Sequence, residues 1–224
     1  MKTTMQIVGS MVFGAAFFGL ALFLPAGTLR YWQAWAFLAV FFVATLVPTV
    51  YLAARHPDAL ARRMQAGPMA ETRPAQRIII SATILVVAAV MVVSALDWRF
   101  GWSAVPVWAV VAGDVLVGIG LLGAQLVIVQ NNYAGASIRV EAGQPLVSTG
   151  LYGVVRHPMY SATLVMMAGM PLALGSLWGL PVVAVALPVL IARILDEEKA
   201  LTAELAGYPE YRTKVRFRLI PGLW

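Results

Sequence analysis

Within Gly150-Leu-Tyr-Gly-Val-Val-Arg-His-Pro-Met-Tyr160, three hydrogen-bonding rings (Tyr152, His157 and Tyr160) and the cation Arg156 sit between one apolar run and the next. Further on, Arg193-Ile-Leu-Asp-Glu-Glu-Lys199 puts a cation and a carboxylate, Arg193 and Glu197, four residues apart on one helix face. In a chain this apolar, such a concentration of rings, a cation and carboxylates points to a site. Both segments are read here as parts of one site. Arg193 and Glu197 taken alone would also suit a plain intrahelical ion pair, and His157 before Pro158 would suit a helix start. What distinguishes the readings is that the polar groups come in two clusters in a chain otherwise short of them.

The chain has 224 residues, of which 61% are hydrophobic and 12% charged, where a soluble domain carries about 25% charged residues. It reads as an integral membrane protein. There is no cysteine and there are two histidines, which excludes disulfides and thiolate chemistry and leaves no histidine-built metal site, so no metal is expected. The net charge is +6, but the arginines are interleaved with apolar runs, which argues for loops facing anionic lipid and against nucleic acid.

Six apolar runs are expected to cross the membrane as helices: residues 5–24, about 31–54 with a kink at Pro48, 78–96, 104–129, 159–174 and 180–195. The first lacks a convincing cleavage pattern after it and reads as a retained anchor. The last two are short and make a hairpin, and beyond residue 195 the pattern continues as a helix outside the membrane until Gly207-Tyr-Pro. Residues 55–77 form a polar loop, and residues 130–158, with Asn131, Asn132, Ser137, Arg139, Glu141 and Gln144, a polar linker expected to fold into a pocket. With six spans, fourteen of the sixteen basic residues fall on the side of the termini and only Arg30 and Arg99 opposite. Both termini are therefore expected in the cytoplasm, in a bacterial inner membrane. The expected organisation is an all-α N-terminal membrane region, 1–129, followed by a region carrying the chemistry, 130–224.

The ordered set Gln144-Pro-Leu-Val-Ser-Thr-Gly-Leu-Tyr152, Arg156-His-Pro-Met-Tyr160, Arg193-x-x-x-Glu197-Glu198, Gly207-Tyr-Pro-Glu-Tyr211 and Arg218-Leu-Ile-Pro221 resembles the isoprenylcysteine carboxyl methyltransferase family of integral membrane methyltransferases. The resemblance covers roughly residues 131–221, and family members often carry histidine where this chain has Gln144. It implies S-adenosyl-L-methionine held by Ser137, Gln144, Pro145, Leu146, Val147, Tyr152, His157, Pro158, Met159, Tyr160 and Glu197. Arg193 then faces a lipid-like or prenylated acceptor, and the catalytic pair is Arg193 and Glu197. A carboxylate acceptor would need no base; an amine or hydroxyl would draw on Glu197, Glu198 or His157.

Tyr208 and Tyr211 read as interfacial anchors, and Arg212, Lys214, Arg216 and Arg218 as a lipid-headgroup patch. Asp114, in mid-span with Gln125 on the same face, reads as a buried hydrogen bond between helices. Gly118-Ile-Gly-Leu-Leu-Gly123 matches a dinucleotide fingerprint in form, but within an apolar helix its small residues serve close packing. Two rival functions are a membrane reductase using NADPH, which would bind that dinucleotide, and a membrane binder or transporter, which would depend on Asp114 and not on Arg193.

Overall fold

The computed structural model describes residues 2–71, 73–134, 137, 138, 140, 141 and 143–224, with α1 side chains described at Gly9 and from Val12 onward. Arg139 of the linker therefore lies outside the described residues. Among these, the chain is all-helical: α1 (Lys2–Ala26), α2 (Trp32–Arg55), α3 (Pro57–Met64), α4 (Pro74–Phe100), α5 (Val107–Gln130), α6 (Pro158–Ala173), α7 (Gly179–Glu204) and α8 (Tyr208–Lys214). Four of them, α2, α4, α5 and α7, are long and apolar enough to cross a membrane. The six expected runs all lie on helices, but α6 has 16 residues, about 24 Å, short of a hydrocarbon core of about 30 Å. Six is thus an approximate count of spans.

α3 was not anticipated within the 55–77 loop, although its signals are in the sequence: Pro57 at the start, Asp58 in the first turn, Arg62 and Arg63 in the last. A single turn of 3-10 helix, Pro68–Ala70, follows it. The loop lies across the same end of the bundle as the 130–158 linker, where Arg62 pairs with Glu141 at 2.7 Å and stacks over the Tyr133 ring at 4.5 Å. Arg62 holds the Glu141 carboxyl below the usual carboxylate range.

The closest helix pair is α5 against α6. A Cβ on Gly113 would stand 2.2 Å from the Ala173 nitrogen, and one on Gly120 would stand 2.6 Å from both the Ala162 oxygen and the Met166 nitrogen. On the α6 side, a Cβ on Gly169 would stand 2.7 Å from the Gly113 oxygen. Without a hydrophobic force between helices in lipid, backbone contact of this kind is what association draws on. Of the fingerprint-like glycines, Gly120 and Gly123 lie on this packing seam, while Gly118 faces Val40 of α2. α7 packs on α4, α4 on α1 and α2 on α5, around a core that includes Tyr31, Phe37, Met91 and Met170.

The end of the bundle opposite the linker is locked by Asp97, fully buried near the end of α4. Its carboxylate accepts from the Ser103 amide and hydroxyl at 2.7 Å, the Ser176 hydroxyl at 2.6 Å and the Trp178 amide at 3.3 Å. The turn before α5 and the turn between α6 and α7 are thereby tied to one anion, which four donors satisfy. By contrast, one Asp114 oxygen on α5 is buried and finds no hydrogen-bond partner among the described residues, as does a Gln125 oxygen, so the inter-helix bond expected of Asp114 is not made by that atom there.

Gly120→Val should lower stability by about 2–3 kcal/mol, because the added methyls meet backbone that has no rotamer to yield. Thermal unfolding of the detergent-purified variant, followed by circular dichroism, checks this; a midpoint equal to wild type would mean that α5 and α6 can separate at no cost.

Candidate functional site

The N-terminus of α6 is set by Arg156-His157-Pro158. His157 precedes the helix in a non-helical conformation and Pro158 occupies its first turn, where the missing amide hydrogen is not needed. Tyr160 and Ser161 follow one turn in. The C-terminal tail lies along this segment: the Arg156 amide donates to the Phe217 carbonyl and the His157 amide to the Arg218 carbonyl, both at 2.9 Å, and the Ser161 hydroxyl donates to the Leu219 carbonyl at 2.7 Å.

Glu198 of α7 holds these parts together. One oxygen accepts from Arg156 Nε at 2.8 Å and lies 3.3 Å from His157 Nε2, and the other accepts from Arg218 Nε at 3.0 Å. Arg156 also donates through Nη1 to the carbonyls of Val215 and Arg216. Glu198 is 4% exposed and Arg156 7%, so this is a buried ionic cluster whose members satisfy one another. Its place is structural: of the carboxylates considered as bases, Glu198 is consumed by this clamp.

Glu197, the neighbour, faces the pocket. Its Oε2 accepts from the Tyr160 hydroxyl at 2.6 Å, and that hydroxyl accepts from Arg193 Nε at 2.9 Å. Arg193 and Glu197 thus meet through a phenol from another helix. Arg193 is further held through Nη1, which donates to Glu71 Oε1 at 3.2 Å and to Gln76 Oε1 at 2.7 Å. Gln76 in turn donates to Asp196, which also takes Arg73 at 2.6 Å.

A cavity of about 840 Å³ opens between linker, α6, α7 and α8. Its lining includes every residue expected of a cofactor site: Ser137, Gln144, Pro145, Leu146, Val147, Tyr152, His157, Pro158, Met159, Tyr160 and Glu197, together with Arg193. Gln144, the position departing from the family's histidine, accepts the Glu141 amide at 3.1 Å and so closes the linker turn. Residues not anticipated there are Asn131, Tyr133, Leu201, Leu205, Tyr208 and Tyr211. Tyr208 and Tyr211 are 3% and 4% exposed, which corrects their reading as interfacial anchors. They pack with Leu205 against Leu146 and Tyr152. The alternation Leu201, Leu205, Tyr208 is a helical stripe that the Gly207 break had masked.

Tyr211 donates to the Tyr152 carbonyl at 2.7 Å, and Asn131 donates to the Tyr152 hydroxyl at 3.2 Å. The Tyr208 hydroxyl is buried and finds no hydrogen-bond partner among the described residues. Burial pushes Tyr152 and Tyr211 up to about 12 and raises Tyr208 further, so all three remain neutral hydrogen-bond donors at physiological pH.

A second cavity, about 690 Å³, lies between α4, α6 and α7 and is lined by Ile80, Val86, Val87, Leu164, Met167, Val183, Leu187 and Leu190. Tyr160 and Arg193 line both cavities. The polar pocket and the apolar groove therefore adjoin at the phenol and guanidinium that Glu197 and Glu71 hold.

Glu198→Ala should destabilise the protein by about 3–5 kcal/mol, because it leaves Arg156 buried without its carboxylate. Chemical or thermal unfolding checks this, and a loss under about 1 kcal/mol would mean that the carbonyls of residues 215 and 216 suffice for Arg156.

The family model described as phospholipid methyltransferase matches residues 108–207. That span holds α5, the linker, α6 and α7, which are the walls of the polar pocket, and leaves outside it Glu71, Gln76 and the tail from Tyr208. A comparison with curated proteins finds no match. The matched residues carry most of the cavity lining, the Tyr160–Glu197 pair and Arg193, and over them the chain is similar to the phospholipid methyltransferases, which are counted among the isoprenylcysteine carboxyl methyltransferase-like membrane methyltransferases.

Proposed function

We propose that this membrane methyltransferase transfers a methyl group from S-adenosyl-L-methionine, held in the polar pocket, to the polar end of a membrane lipid whose apolar part lies in the groove between α4, α6 and α7. The observation that carries this reading is the sharing of Tyr160 and Arg193 by the two cavities. A donor on one side and an acceptor on the other would meet there.

The pocket's own chemistry fits the cofactor. Tyr152, His157 and Tyr160 offer ring faces to a sulfonium. Glu197 offers a carboxylate, and the unpartnered Tyr208 hydroxyl offers a buried donor that a ligand atom would satisfy. When bound, S-adenosyl-L-methionine supplies an activated methyl group. The protein's part is to align and to exclude water. Tyr160, fixed between Arg193 and Glu197, holds the junction, and Arg193 fixes the acceptor's polar end by charge-assisted hydrogen bonds. For an amine acceptor, Glu197 is the group at hand to receive the proton, directly or through the Tyr160 hydroxyl. The family description favours a phospholipid headgroup among the acceptors that an apolar groove with a polar mouth would take.

In this scheme residues 130–224 supply the donor pocket, while residues 1–129 supply the α4 wall of the groove and the partners of Arg193. The basic residues collected at the linker end support placing that end in the cytoplasm, where the donor would be available.

Calorimetric titration of S-adenosylhomocysteine into detergent-purified protein tests the donor. Wild type should bind, and Tyr160→Ala and Glu197→Ala should each weaken binding by about tenfold or more, ~1.4 kcal/mol. Tyr208→Phe should leave the unliganded protein as stable or more so and cost about 1–2 kcal/mol in binding, since it deletes a donor that only the ligand pairs. No binding by folded wild type, with stabilisation by NADPH instead, would move the reading to a reductase. Thr83→Trp, on the exposed edge of the groove, should raise the acceptor KM about tenfold while leaving S-adenosylhomocysteine affinity within about twofold; equal acceptor KM values would remove the groove from the acceptor's path.

A further inference from the structure

Glu71 belongs to the 55–77 loop, outside the residues matched by the family model, and is not among those lining the polar pocket. It is nonetheless 1% exposed. Its two carboxylate oxygens face two different parts of the site. Oε1 accepts from Arg193 Nη1 at 3.2 Å, and Oε2 accepts from the backbone amide of Ile138 at 3.2 Å. Ile138 lies beside Ser137 in the linker, and both line the polar pocket. The loop that presents Glu71 is held in turn by Arg77 Nε, which donates to the Glu71 carbonyl at 2.9 Å.

A carboxylate buried this deeply is stable where both oxygens are paired, and losing either partner leaves a charge-bearing atom unsatisfied. The linker's closed position and the placement of Arg193 are therefore mutually dependent through one side chain. Gln76 completes the arrangement, because its oxygen takes the same Arg193 Nη1 at 2.7 Å and its amide group is committed to Asp196.

We propose that Glu71 is a positioning residue that couples the two cavities: one buried carboxylate holds the Ile138 amide in the wall of the polar pocket and Arg193 at the junction with the groove, so that a donor steadying the linker also steadies Arg193 where the acceptor's polar end must sit. This rests on the donor assignment above. By linkage the two ligands strengthen one another, and the strengthening passes through Glu71.

Hydrogen–deuterium exchange on the full-length protein in detergent, with S-adenosylhomocysteine as the probe, tests this. In wild type the probe should slow exchange about fivefold or more both in the linker peptide around residues 137–147 and in the loop peptide 66–77, which the probe does not reach. In Glu71→Gln the linker should still be protected while protection of 66–77 is lost. Arg62→Gln, which breaks the exposed Arg62–Glu141 pair between the same two segments, should keep it. Protection confined to the linker in wild type, or undiminished at 66–77 in Glu71→Gln, would overturn the coupling while leaving the donor site standing. The wild-type arm decides this even if Glu71→Gln is not recovered folded. Absence of probe binding to folded wild type would overturn the donor assignment, and the coupling with it.

Discussion

The buried carboxylate of Glu198 is the interaction on which the site depends. Two arginines and a histidine, from the start of α6 and from the C-terminal tail, converge on it. An anion in this position would be costly alone, and so would Arg156, but each cancels the other's desolvation, and the remaining donors go to backbone carbonyls. The consequence is geometric. α7, the start of α6 and the tail are fixed to one another, so that Glu197 one residue earlier points at Tyr160 and the tail closes over the linker. Neighbouring glutamates thus divide the work, one holding the walls and one facing the cavity.

Asp97 makes the corresponding lock at the far end of the bundle, where four side-chain and backbone donors from two turns share its carboxylate. Between the two locks the glycine seam of α5 and α6 sets the spacing of the helices. This leaves α6 supported on one side by backbone contact and open on the other toward α4 and α7, where the apolar groove runs. A tightly packed pair beside a looser one gives a membrane enzyme both rigidity and a way in for a lipid, since a groove with few polar groups needs no solvation from the bilayer.

In the function proposed above, the chemistry at the junction follows from placing a polar pocket against that groove. Methyl transfer from an activated donor asks little of protein acids and bases and much of alignment. A phenol clamped between a guanidinium and a carboxylate is suited to alignment, because its position is fixed by two charge-assisted bonds. The guanidinium is itself held by Glu71 and Gln76, so the charges at the junction are supported from a loop nearly 120 residues away in sequence.

The sequence by itself determined the solvent, the helices and the pocket's inventory. An apolar composition with so few charges leaves only helices to cross a membrane, and the polar clusters at 144–160 and 193–199 stand out because such groups are expensive in that setting. Every residue named for the donor pocket lines one cavity: those of 144–160 are close in sequence, and Glu197 joins them because α7 packs beside the start of α6. What only the tertiary structure decided is which polar group meets which across the fold. Nothing local distinguishes Glu71 from the other charged residues of its loop, and the spacing from Arg193 that singles out Glu197 says nothing of what Glu198 holds. Tyr208 looked like a surface aromatic because its burial depends on the linker folding back onto it. α3 was legible in its Pro57, Asp58 and terminal arginines and was passed over amid the loop's charge. Long-range pairing is set by how the helices pack, and helix packing here turns on backbone contact at glycines, which a periodicity of apolar residues does not encode.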